Sequence, residues 1–504
     1  MNFKHQEHKE SGFKEFCIIK IMEKKEKLDL IKKLGYQPYP PNSLKKTDIK
    51  KILDGFQKFL SKKKNFWIAG RVMAIREHGK ITFVDLKDFT GRIQVIVKDE
   101  NVKKYNDFIK IIDIGDFFSF YGYPFLPESK EKSILAFKWQ ILSKSLKNFP
   151  KEYYKVRDEE LLVRCPYLKT IFYDEEKETF YYRFRLIEEL RKILWKEGFL
   201  EVETPILQTH YGGALARPFV TYLEALKEPL YLRIAPELYL KKLIVGGFEK
   251  IFEIGKNFRN EGIDREHNPE FTMMELYWAY QDQEGLMNFT QKIIQKLVKT
   301  YNKWRGQKGL SLEFKGRKIN LEGKWKRIEF VKLIKNYTGL DYFENDLKDF
   351  INFAKEKKIE FNPKLINKGK IVDEIFKKLI RPNLWEPIFL IDHPKEISPL
   401  AKENPKDPRL TLRFQLYLGG YEVANAYAEL NDPIDQKERF LAQAEELKRG
   451  DVEAHPYDET FIEALEYGMP PTAGLGIGLD RLFSIILNKE SIKDVIYFPF
   501  VKKQ

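Results

Sequence analysis

The spacing of hydrophobic and polar residues changes along the chain and divides it into three regions. Residues 23–34 and about 44–64 carry apolar side chains at helical spacing among lysines, which predicts two basic helices. From 66 to about 142, apolar and polar residues alternate between glycine turns, which is typical of short β-strands. Beyond about 151, helical and strand patterns are mixed. We therefore expect a helical extension, a small β-domain and a large α+β region.

Two strands of the predicted β-domain are expected to expose groups that can recognise a base. In TFVDLKD, Phe83 projects away from the apolar side chains beside it, and Gln94 does the same in GRIQVIV. An exposed ring and an exposed amide on neighbouring strands of a small Greek-key barrel suit stacking on an unpaired base and reading its edge. An ordinary barrel surface with one stray aromatic residue is the alternative.

The α+β region begins with helix and strand signals. Residues 177–197 form an amphipathic pattern that ends at Gly198, and FLEVETPIL after it is predicted to be a strand ending at Pro205. A helical stretch rich in Lys and Phe, at about 320–385, interrupts the β-rich sequence. We therefore expect an insertion there.

Charge and composition narrow the possible partners. The net charge is +14, and residues 1–64 hold 17 Lys against 8 Asp or Glu, so this end either binds RNA phosphates or forms a solvated surface. No apolar run approaches the roughly 18–20 residues of a membrane helix, and the polar start lacks a secretory signal, so a cytoplasmic location is expected. The two cysteines, Cys17 and Cys165, predict neither a zinc site nor a disulfide.

Charged and aromatic residues are concentrated in FRNEGIDREHNPEFTMMELYWAY, from Phe258 to Tyr280. This segment predicts a strand that ends near Arg259, a turn at Gly262 and a second strand. In GLGIGLDRL, the glycines at 474, 476 and 478 differ in spacing from the G-x-G-x-x-G of dinucleotide-binding loops, and no strand-like run precedes them. They would let the backbone approach a ligand before a helix begins.

These segments resemble the three motifs of class II aminoacyl-tRNA synthetases. Phe258-Arg259-Asn260-Glu261 with His267 and Phe271 is similar to motif 2, GFLEVETPIL at 198–207 to motif 1, and GLGIGLDRL at 474–482 to motif 3. The segments RIAPELYLKKLIVGG at 233–247 and AELNDP at 428–433 further resemble the lysyl-tRNA synthetases of bacterial type.

The resemblance implies an α+β fold, with an OB-fold β-barrel and a catalytic domain built on an antiparallel sheet flanked by helices. The expected domains are a basic extension at 1–64, an anticodon-binding OB-fold at 65–150 and a catalytic domain at 151–504. The implied reaction uses ATP to convert lysine to lysyl-adenylate and then transfers the lysyl group to the 3′-hydroxyl of tRNA(Lys). A homodimer is expected, because motif 1 builds a dimer interface in this family.

The resemblance also assigns candidate site residues. The expected ATP-binding residues are Arg259, Glu261, His267, Phe271, Glu422 and Arg481, of which the two arginines are the catalytic candidates. The expected lysine-binding residues are Gly213, Glu237, Arg259, Tyr277, Asn425, Tyr427 and Glu429. The expected anticodon-binding residues are Arg71, Phe83 and Gln94. Without the resemblance, Arg259 and Arg481 could equally form structural ion pairs, and Glu429 could cap a helix or turn.

One position departs from the family pattern. Two acidic ligands for Mg²⁺ are usual beside the triphosphate, and they align with Gln415 and Glu422 in this sequence. The neutral amide of Gln415 offers an oxygen without charge, which weakens a site for a hard cation. We therefore expect Mg²⁺ to be bound mostly by the ATP phosphates and Glu422.

Three alternatives remain open from the sequence. An aspartyl- or asparaginyl-tRNA synthetase shares the barrel and the motifs, although APELYLK and AELND speak against it. A protein-lysylating relative would lack the barrel. A noncatalytic tRNA-binding paralogue would not need to retain the motif 2 and motif 3 arginines.

Overall fold

The computed structural model describes residues 23–44, 46–147, 162, 164–362, 367–450, 454 and 456–501 of the 504-residue chain. The chain divides into two compact units, with the boundary between 157 and 158. The first 22 residues, which include Cys17, and the linker expected near 151 lie outside the described residues.

The first unit contains a closed five-stranded barrel. Its strands are β1 (Phe66–His78), β2 (Ile81–Lys87), β3 (Arg92–Lys98), β4 (Phe117–Phe125) and β5 (Ser133–Ser143). Its helices are α1 (residues 23–33), α2 (Ile49–Asp54), α3 (Phe56–Ser61) and α4 (Tyr105–Ile111). The strand order is β1-β2-β3-β5-β4, closed between β4 and β1, and only β3 and β5 pair in parallel.

The alternation of side chains in β2 and β3 builds the core of the barrel. Val84 and Leu86 from β2 are fully buried, as are Val95 and Val97 from β3. The predicted inward faces are therefore confirmed, because side chains with a period of two must share one face of a strand.

The second unit is a mixed sheet flanked by helices. Its strands are β6 (Leu200–Glu201), β7 (Leu207–Gln208), β8 (Phe219–Leu223), β9 (Glu228–Leu232), β10 (Lys250–Phe258), β11 (Glu270–Ala279), β12 (Ser311–Phe314), β13 (Arg317–Asn320), β14 (Lys326–Glu329), β15 (Ile388–Pro394), β16 (Glu403–Asn404), β17 (Asp407–Leu418), β18 (Tyr421–Ala428) and β19 (Thr472–Gly478). Its α-helices are α5 (Pro166–Phe172), α6 (Asp174–Lys196), α7 (Glu237–Val245), α8 (Gln283–Trp304), α9 (Phe330–Thr338), α10 (Leu347–Glu356), α11 (Lys368–Ile375), α12 (Pro433–Lys448), α13 (Glu459–Glu466) and α14 (Leu479–Ile486).

The main sheet has the order β14-β15-β17-β18-β19-β11-β10-β6, with β16 paired to β17. Its central strands are antiparallel, and β11 and β19 pair so that Tyr277 lies opposite Gly474. The strand–turn–strand predicted for 258–280 is β10, a loop and β11. The fold class expected from the sequence is therefore confirmed.

The segment FLEVETPIL does not form one strand, so this prediction was wrong. Within it lie only the two-residue strand β6 and the first residue of β7. Pro205 has no N–H to donate, and the carbonyl of Thr204 accepts from the side chain of Arg233 (3.3 Å) rather than from a neighbouring strand. At this point the buried side chain of Arg233 supplies the hydrogen bond that a neighbouring strand would otherwise supply.

The helical stretch expected at about 320–385 lies between two strands of the main sheet. It contains α9, α10 and α11, followed by a π-helical turn (Phe376–Ile380) and a 3-10 turn (Arg381–Asn383). The flanking strands β14 and β15 pair in parallel, which requires a crossover connection. These helices bury their own apolar cluster, which includes Phe350 and Ile371.

The glycine-rich segment at 474–478 is itself part of a strand, β19, which the sequence pattern did not predict. Side chains from the neighbouring strands crowd this position, since a Cβ atom on Gly474 would lie 2.6 Å from the ring of Tyr277. The glycines therefore belong to a central strand, in which position 474 is too crowded for a larger residue. The helix predicted to follow them is α14.

Candidate active site

One cavity of about 270 Å³ opens over the central strands of the main sheet. The expected ATP- and lysine-binding residues that line it are Gly213, Glu237, Arg259, Glu261, His267, Phe271, Tyr277, Glu422, Asn425, Tyr427 and Arg481. Glu429 is buried directly beside it, whereas Gln415 does not line it. Residues separated by more than 200 positions are thus brought to one cleft.

Two arginines and an aromatic ring lie at one end of the cleft. The guanidinium of Arg259, just after β10, lies 5.1 Å from the centre of the Phe271 ring. Burial and the nearby Arg481 cation lower the pKa of Arg259, while neighbouring carboxylates, first Glu261, oppose this shift. Its Nε has no hydrogen-bond partner among the described residues. A half-buried cation whose buried Nε is an unused donor is suited to an anionic ligand.

Arg481 is held by the loop between β10 and β11. Its Nη1 donates to the carbonyl of Glu422 (3.2 Å), and its Nη2 lies 3.1 Å from Nε2 of His267. Because arginine can only donate, Nε2 must accept, which places the His267 proton on Nδ1, 2.8 Å from Asp264. The loop histidine and the motif 3 arginine therefore form one connected group.

A buried ion pair links the motif 3 helix α14 to α6, and the same carboxylate binds strand β11. Asp480 lies 2.7 Å from Arg183 of α6 and accepts from the backbone N–H of Thr272 (2.8 Å). The residue beside Arg481 is therefore tied to the strand that carries Phe271, which limits the movement of both ligand-binding groups.

The helical insertion contacts the same loop. Arg381, in the 3-10 turn, forms an ion pair with Glu266 at 3.0 Å. The carbonyl of Glu266 lies 3.4 Å from Nε of Arg481, which donates to it. The end of the insertion is thus linked to the loop that holds His267.

Carboxylates and tyrosines form the other end of the cleft. Tyr427 donates to Oε2 of Glu237 (3.3 Å), and Tyr277 donates to Glu275 (3.3 Å). Burial raises the pKa of both tyrosines well above the ordinary value. Glu429 is buried, and its Oε1 has no hydrogen-bond partner among the described residues. This end is suited to a cationic ligand.

Two glycines leave space for these carboxylates. Gly213 has a φ of +84°, and a Cβ there would lie 2.7 Å from the Cβ of Glu237. A Cβ on Gly474 would overlap the Oε1 atom of Glu429. Both positions therefore require glycine, the first for its backbone conformation as well as its size.

The sequence interpretation missed three charged residues of this site. Lys241 is fully buried, 2.7 Å from Glu237 and 2.5 Å from Glu429. Glu275 lies in the cleft, and burial, together with Glu237, raises its pKa to about 8. Arg413 donates from Nε to Asn425 (2.9 Å). Spacing gives a signal for two of them: Lys241 lies one helical turn after Glu237, and Glu275 lies two strand residues before Tyr277.

Gln415 lies in a separate buried polar group. Its Oε1 is 3.0 Å from Nε2 of His393 and accepts from the hydroxyl of Tyr417 (3.2 Å). Burial, with Arg413 nearby, lowers the pKa of His393 well below its ordinary value, so the ring is neutral. The side-chain oxygen of Gln415, which the sequence suggested as a weak Mg²⁺ ligand, is therefore already bonded to His393 and Tyr417.

The three anticodon candidates lie on the barrel. Phe83 is half-buried, and β2 and β3 pair so that Asp85 is opposite Gln94, which makes Phe83 a diagonal neighbour of Gln94. The expectation of an exposed Gln94 amide was wrong, because Glu131 accepts from its Nε2 (2.8 Å) and Ser133 donates to its Oε1 (2.9 Å). Arg71 lies over the ring of Phe117 at 4.3 Å.

Known proteins match both units. The family described as tRNA synthetases class II (D, K and N) matches residues 158–502, and the OB-fold nucleic acid binding domain matches 66–142. The chain is 45% identical over 480 residues to the lysine–tRNA ligase of Thermotoga maritima, with 94% of each chain covered. The chain belongs to the class II lysine–tRNA ligases. The lysine–tRNA ligase of Carboxydothermus hydrogenoformans is 44% identical over 481 residues, covering 95% of this chain and 96% of that one.

Membership of this family confirms the resemblance seen in the sequence. It decides against the three alternatives, an aspartyl- or asparaginyl-tRNA synthetase, a protein-lysylating relative and a noncatalytic paralogue. The Methanosarcina mazei protein named lysine–tRNA ligase 2 is 44% identical over 95% of this chain and 93% of its own. The chain is accordingly an enzyme, an aminoacyl-tRNA synthetase. In the part of the chain that the structure describes, no helix is both long and apolar enough to span a membrane.

Proposed function

We propose that this cleft joins lysine to ATP and that the lysyl group then passes to tRNA(Lys). The carboxylate of lysine attacks the α-phosphorus of ATP, and pyrophosphate leaves. The terminal 3′-hydroxyl of tRNA then attacks the adenylate carbonyl, and AMP leaves. The observation that carries this proposal is that cations line one end of a single cleft and carboxylates the other.

The cationic end is proposed to bind ATP. Attack of one anion on another requires positive charge at the reacting centre, and Arg259 supplies a planar bidentate donor there. Phe271 is proposed to stack on adenine with Arg481 on its opposite face, while Glu261 accepts from the exocyclic amine. Arg481 and His267 are further proposed to contact the triphosphate tail, which their contact at 3.1 Å supports.

The acidic end is proposed to bind lysine. Glu237 is placed at the α-ammonium group, and Glu429 with Tyr277 at the side-chain ammonium. Gly213, Asn425 and Tyr427 complete the pocket. The unpartnered Oε1 of Glu429 supports this role, because an uncharged competitor would leave a buried carboxylate oxygen unpaired.

Mg²⁺ is proposed to enter with ATP. In the described ranges, no cluster of three or more His, Cys, Asp or Glu side chains is arranged to hold a metal ion alone. Glu422 lines the cleft, so its carboxylate fits a cation that keeps its phosphate ligands, whereas Gln415 is already hydrogen-bonded. The ion would neutralise phosphate charge, and Glu422 would orient it.

Phe83 is proposed to stack on a base of the U-rich lysine anticodon, and Arg71 of the neighbouring strand β1 is proposed to contribute a cation. The amide of Gln94 is buried and cannot contact a base directly. Gln94 would therefore contribute to base reading only by positioning Glu131, which accepts from its Nε2. The Phe83 ring, half-buried on the outer face of β2, supports the stacking role.

A homodimer is proposed through the motif 1 region. Leu200, Ile206 and Leu207 are each about half exposed, although they are large apolar residues. Apolar side chains grouped in this way indicate a surface that is covered in the assembly. Sedimentation of the wild type and of Leu207→Glu would test this, because a dimer should dissociate in the variant.

Lysine-dependent exchange of pyrophosphate into ATP, followed by charging of tRNA(Lys), tests the activity as a whole. We expect lysine to drive exchange better than any other amino acid. Faster exchange with aspartate or asparagine would overturn the proposal.

A further inference from the structure

Lys241 has no exposed side-chain surface and lies at the acidic end of the cleft. Its ammonium is 2.7 Å from Oε1 of Glu237 and 2.5 Å from Oε2 of Glu429. Glu237 belongs to the same helix, α7, whereas Glu429 follows β18. One buried cation therefore joins the two carboxylates that are proposed to bind the two ammonium groups of lysine.

The oxygen atoms of these carboxylates are divided between the protein and the cleft. Lys241 pairs with one oxygen of each. The second oxygen of Glu237 accepts from Tyr427 at 3.3 Å. The second oxygen of Glu429 has no hydrogen-bond partner among the described residues and lies beside Gly474 and Tyr277. Lys241 thus fixes Glu429 without using the oxygen that a ligand needs.

The charge around Lys241 explains why this cation matters. Glu237 from α7 acts directly on Lys241 and Glu429. The other titratable or charged groups of this region are Tyr277, Glu275 with its neighbours Arg259 and Glu253, and Tyr427 with its neighbour Arg413. From helix α13, the ring of Phe461 lies 5.9 Å from the ammonium. Three carboxylates, those of Glu237, Glu275 and Glu429, therefore share one buried region.

Such carboxylates do not all remain ionised without a cation. Burial raises the pKa of Glu429, the Lys241 ammonium opposes this rise, and Glu237 adds to it. Burial also disfavours the charge on Lys241, but Glu237 and Glu429 together raise its pKa above the ordinary value. The ammonium is therefore maintained, and its charge makes Glu429 easier to ionise than burial alone would allow.

We propose that Lys241 is a positioning residue for substrate recognition: its ammonium holds one oxygen of Glu237 and one of Glu429, which fixes the separation at which the two carboxylates accept the two ammonium groups of lysine. This inference rests on the lysine-binding roles proposed above for the two glutamates. An uncharged side chain at 241 should let Glu429 take up a proton at a higher pH, and a protonated Glu429 pairs poorly with an ammonium group.

Lys241→Met in the full-length enzyme tests the proposal, with lysine-dependent pyrophosphate exchange as the readout. We expect the KM for lysine near neutral pH to rise about tenfold for each unit by which the Glu429 pKa increases. The kcat and the KM for ATP should change much less. The acidic limb of the kcat/KM profile for lysine should move to higher pH, which a merely structural role would not cause.

Lys242→Met is the matched control. Lys242 is the next residue on the same helix, and it donates to Thr460 at 2.8 Å instead of contacting either glutamate. Its KM values and its pH profile should match those of the wild type. Circular dichroism and the KM for ATP report whether each variant is folded.

Lys241→Gln provides a second neutral variant, whose amide can still donate to a carboxylate. A folded neutral variant with an unchanged KM for lysine and an unchanged acidic limb overturns the proposal. If neither neutral variant folds, Lys241 is a folding element and the proposal is also overturned. If the wild type shows no lysine-dependent exchange, the proposed function itself has failed, which is a distinct result.

Discussion

Gly474 and Glu429 leave no room for a side chain between them, because a Cβ atom on Gly474 would overlap Oε1 of Glu429. The same atom would lie 2.6 Å from the Tyr277 ring. The glycine of motif 3 therefore determines where the carboxylate at the lysine end can lie.

Gly474→Ala should consequently impair lysine binding. We expect the KM for lysine to rise by at least about tenfold, since a displaced carboxylate no longer matches the ammonium group. The KM for ATP should change little, and both values come from pyrophosphate exchange. Gly91→Ala is the control, because its added Cβ would make only ordinary contacts, the nearest at 3.5 Å. Equal effects of the two substitutions would contradict the prediction.

Arg259→Ala should abolish most adenylate formation. Loss of the cation beside the reacting carboxylate and phosphate is expected to lower kcat for exchange by about 10²–10³-fold. Arg449→Ala removes an arginine with a 75% exposed side chain and should leave exchange unchanged. Wild-type exchange by Arg259→Ala would show that this arginine is only structural.

Gln415→Glu should reduce the Mg²⁺ concentration needed for half-maximal exchange. A carboxylate adds the negative charge that the neutral amide lacks, and because position 415 lies outside the cleft beside His393 and Tyr417, this charge would attract the ion through space and not as a direct ligand. Glu422→Gln should shift the Mg²⁺ requirement in the opposite direction. The proposal of a weakened site fails if Gln415→Glu leaves the requirement unchanged.

Glu275→Gln should change how stability depends on pH. The pKa of Glu275 is raised from 4.5 to about 8, so the unfolded chain releases its proton first. The stability that the neutral carboxyl contributes is complete below 4.5 and is lost as the pH rises towards 8. Glutamine stays neutral, so the variant should gain thermal stability over the wild type between about pH 5.5 and about pH 8. A constant difference across this range would argue against a protonated Glu275.

Phe83→Ala should separate the two steps of the reaction. Loss of a stacked ring weakens binding by about 1–3 kcal/mol per base, so the KM for tRNA(Lys) should rise by about fivefold or more. Pyrophosphate exchange without tRNA should be unaffected, which makes it an internal control. An unchanged KM for tRNA would indicate that this face of β2 does not contact the anticodon.

The sequence predicted the elements whose pattern is local. The alternation around Val84 and Val95 identified the barrel strands, and the helix that ends before Gly198 was found from its apolar spacing. The motifs also identified side chains that meet in one cleft, from Arg259 to Arg481. These features depend on periodicity or on residue identity, which a single sequence contains.

The remaining features depend on contacts between distant segments. Lys241 stands in a KK pair that looks like a solvated helix face, and only Glu429, 188 positions later, explains its burial. Gln94 alternates like a surface residue, but Glu131 and Ser133 from the start of β5 and the loop before it cover its amide. The strand at Gly474 was missed because this glycine is required by the side chains of Glu429 and Tyr277, which lie on other segments.

The contact between Arg381 and Glu266 has a consequence for any attempt to redesign this enzyme. Removing the inserted helices would also remove a tether on the loop that carries His267, so a shortened chain should hold ATP less well. A chimera with the insertion of a relative would need its own cation opposite Glu266. The insertion and the nucleotide loop should therefore be exchanged between relatives as a pair.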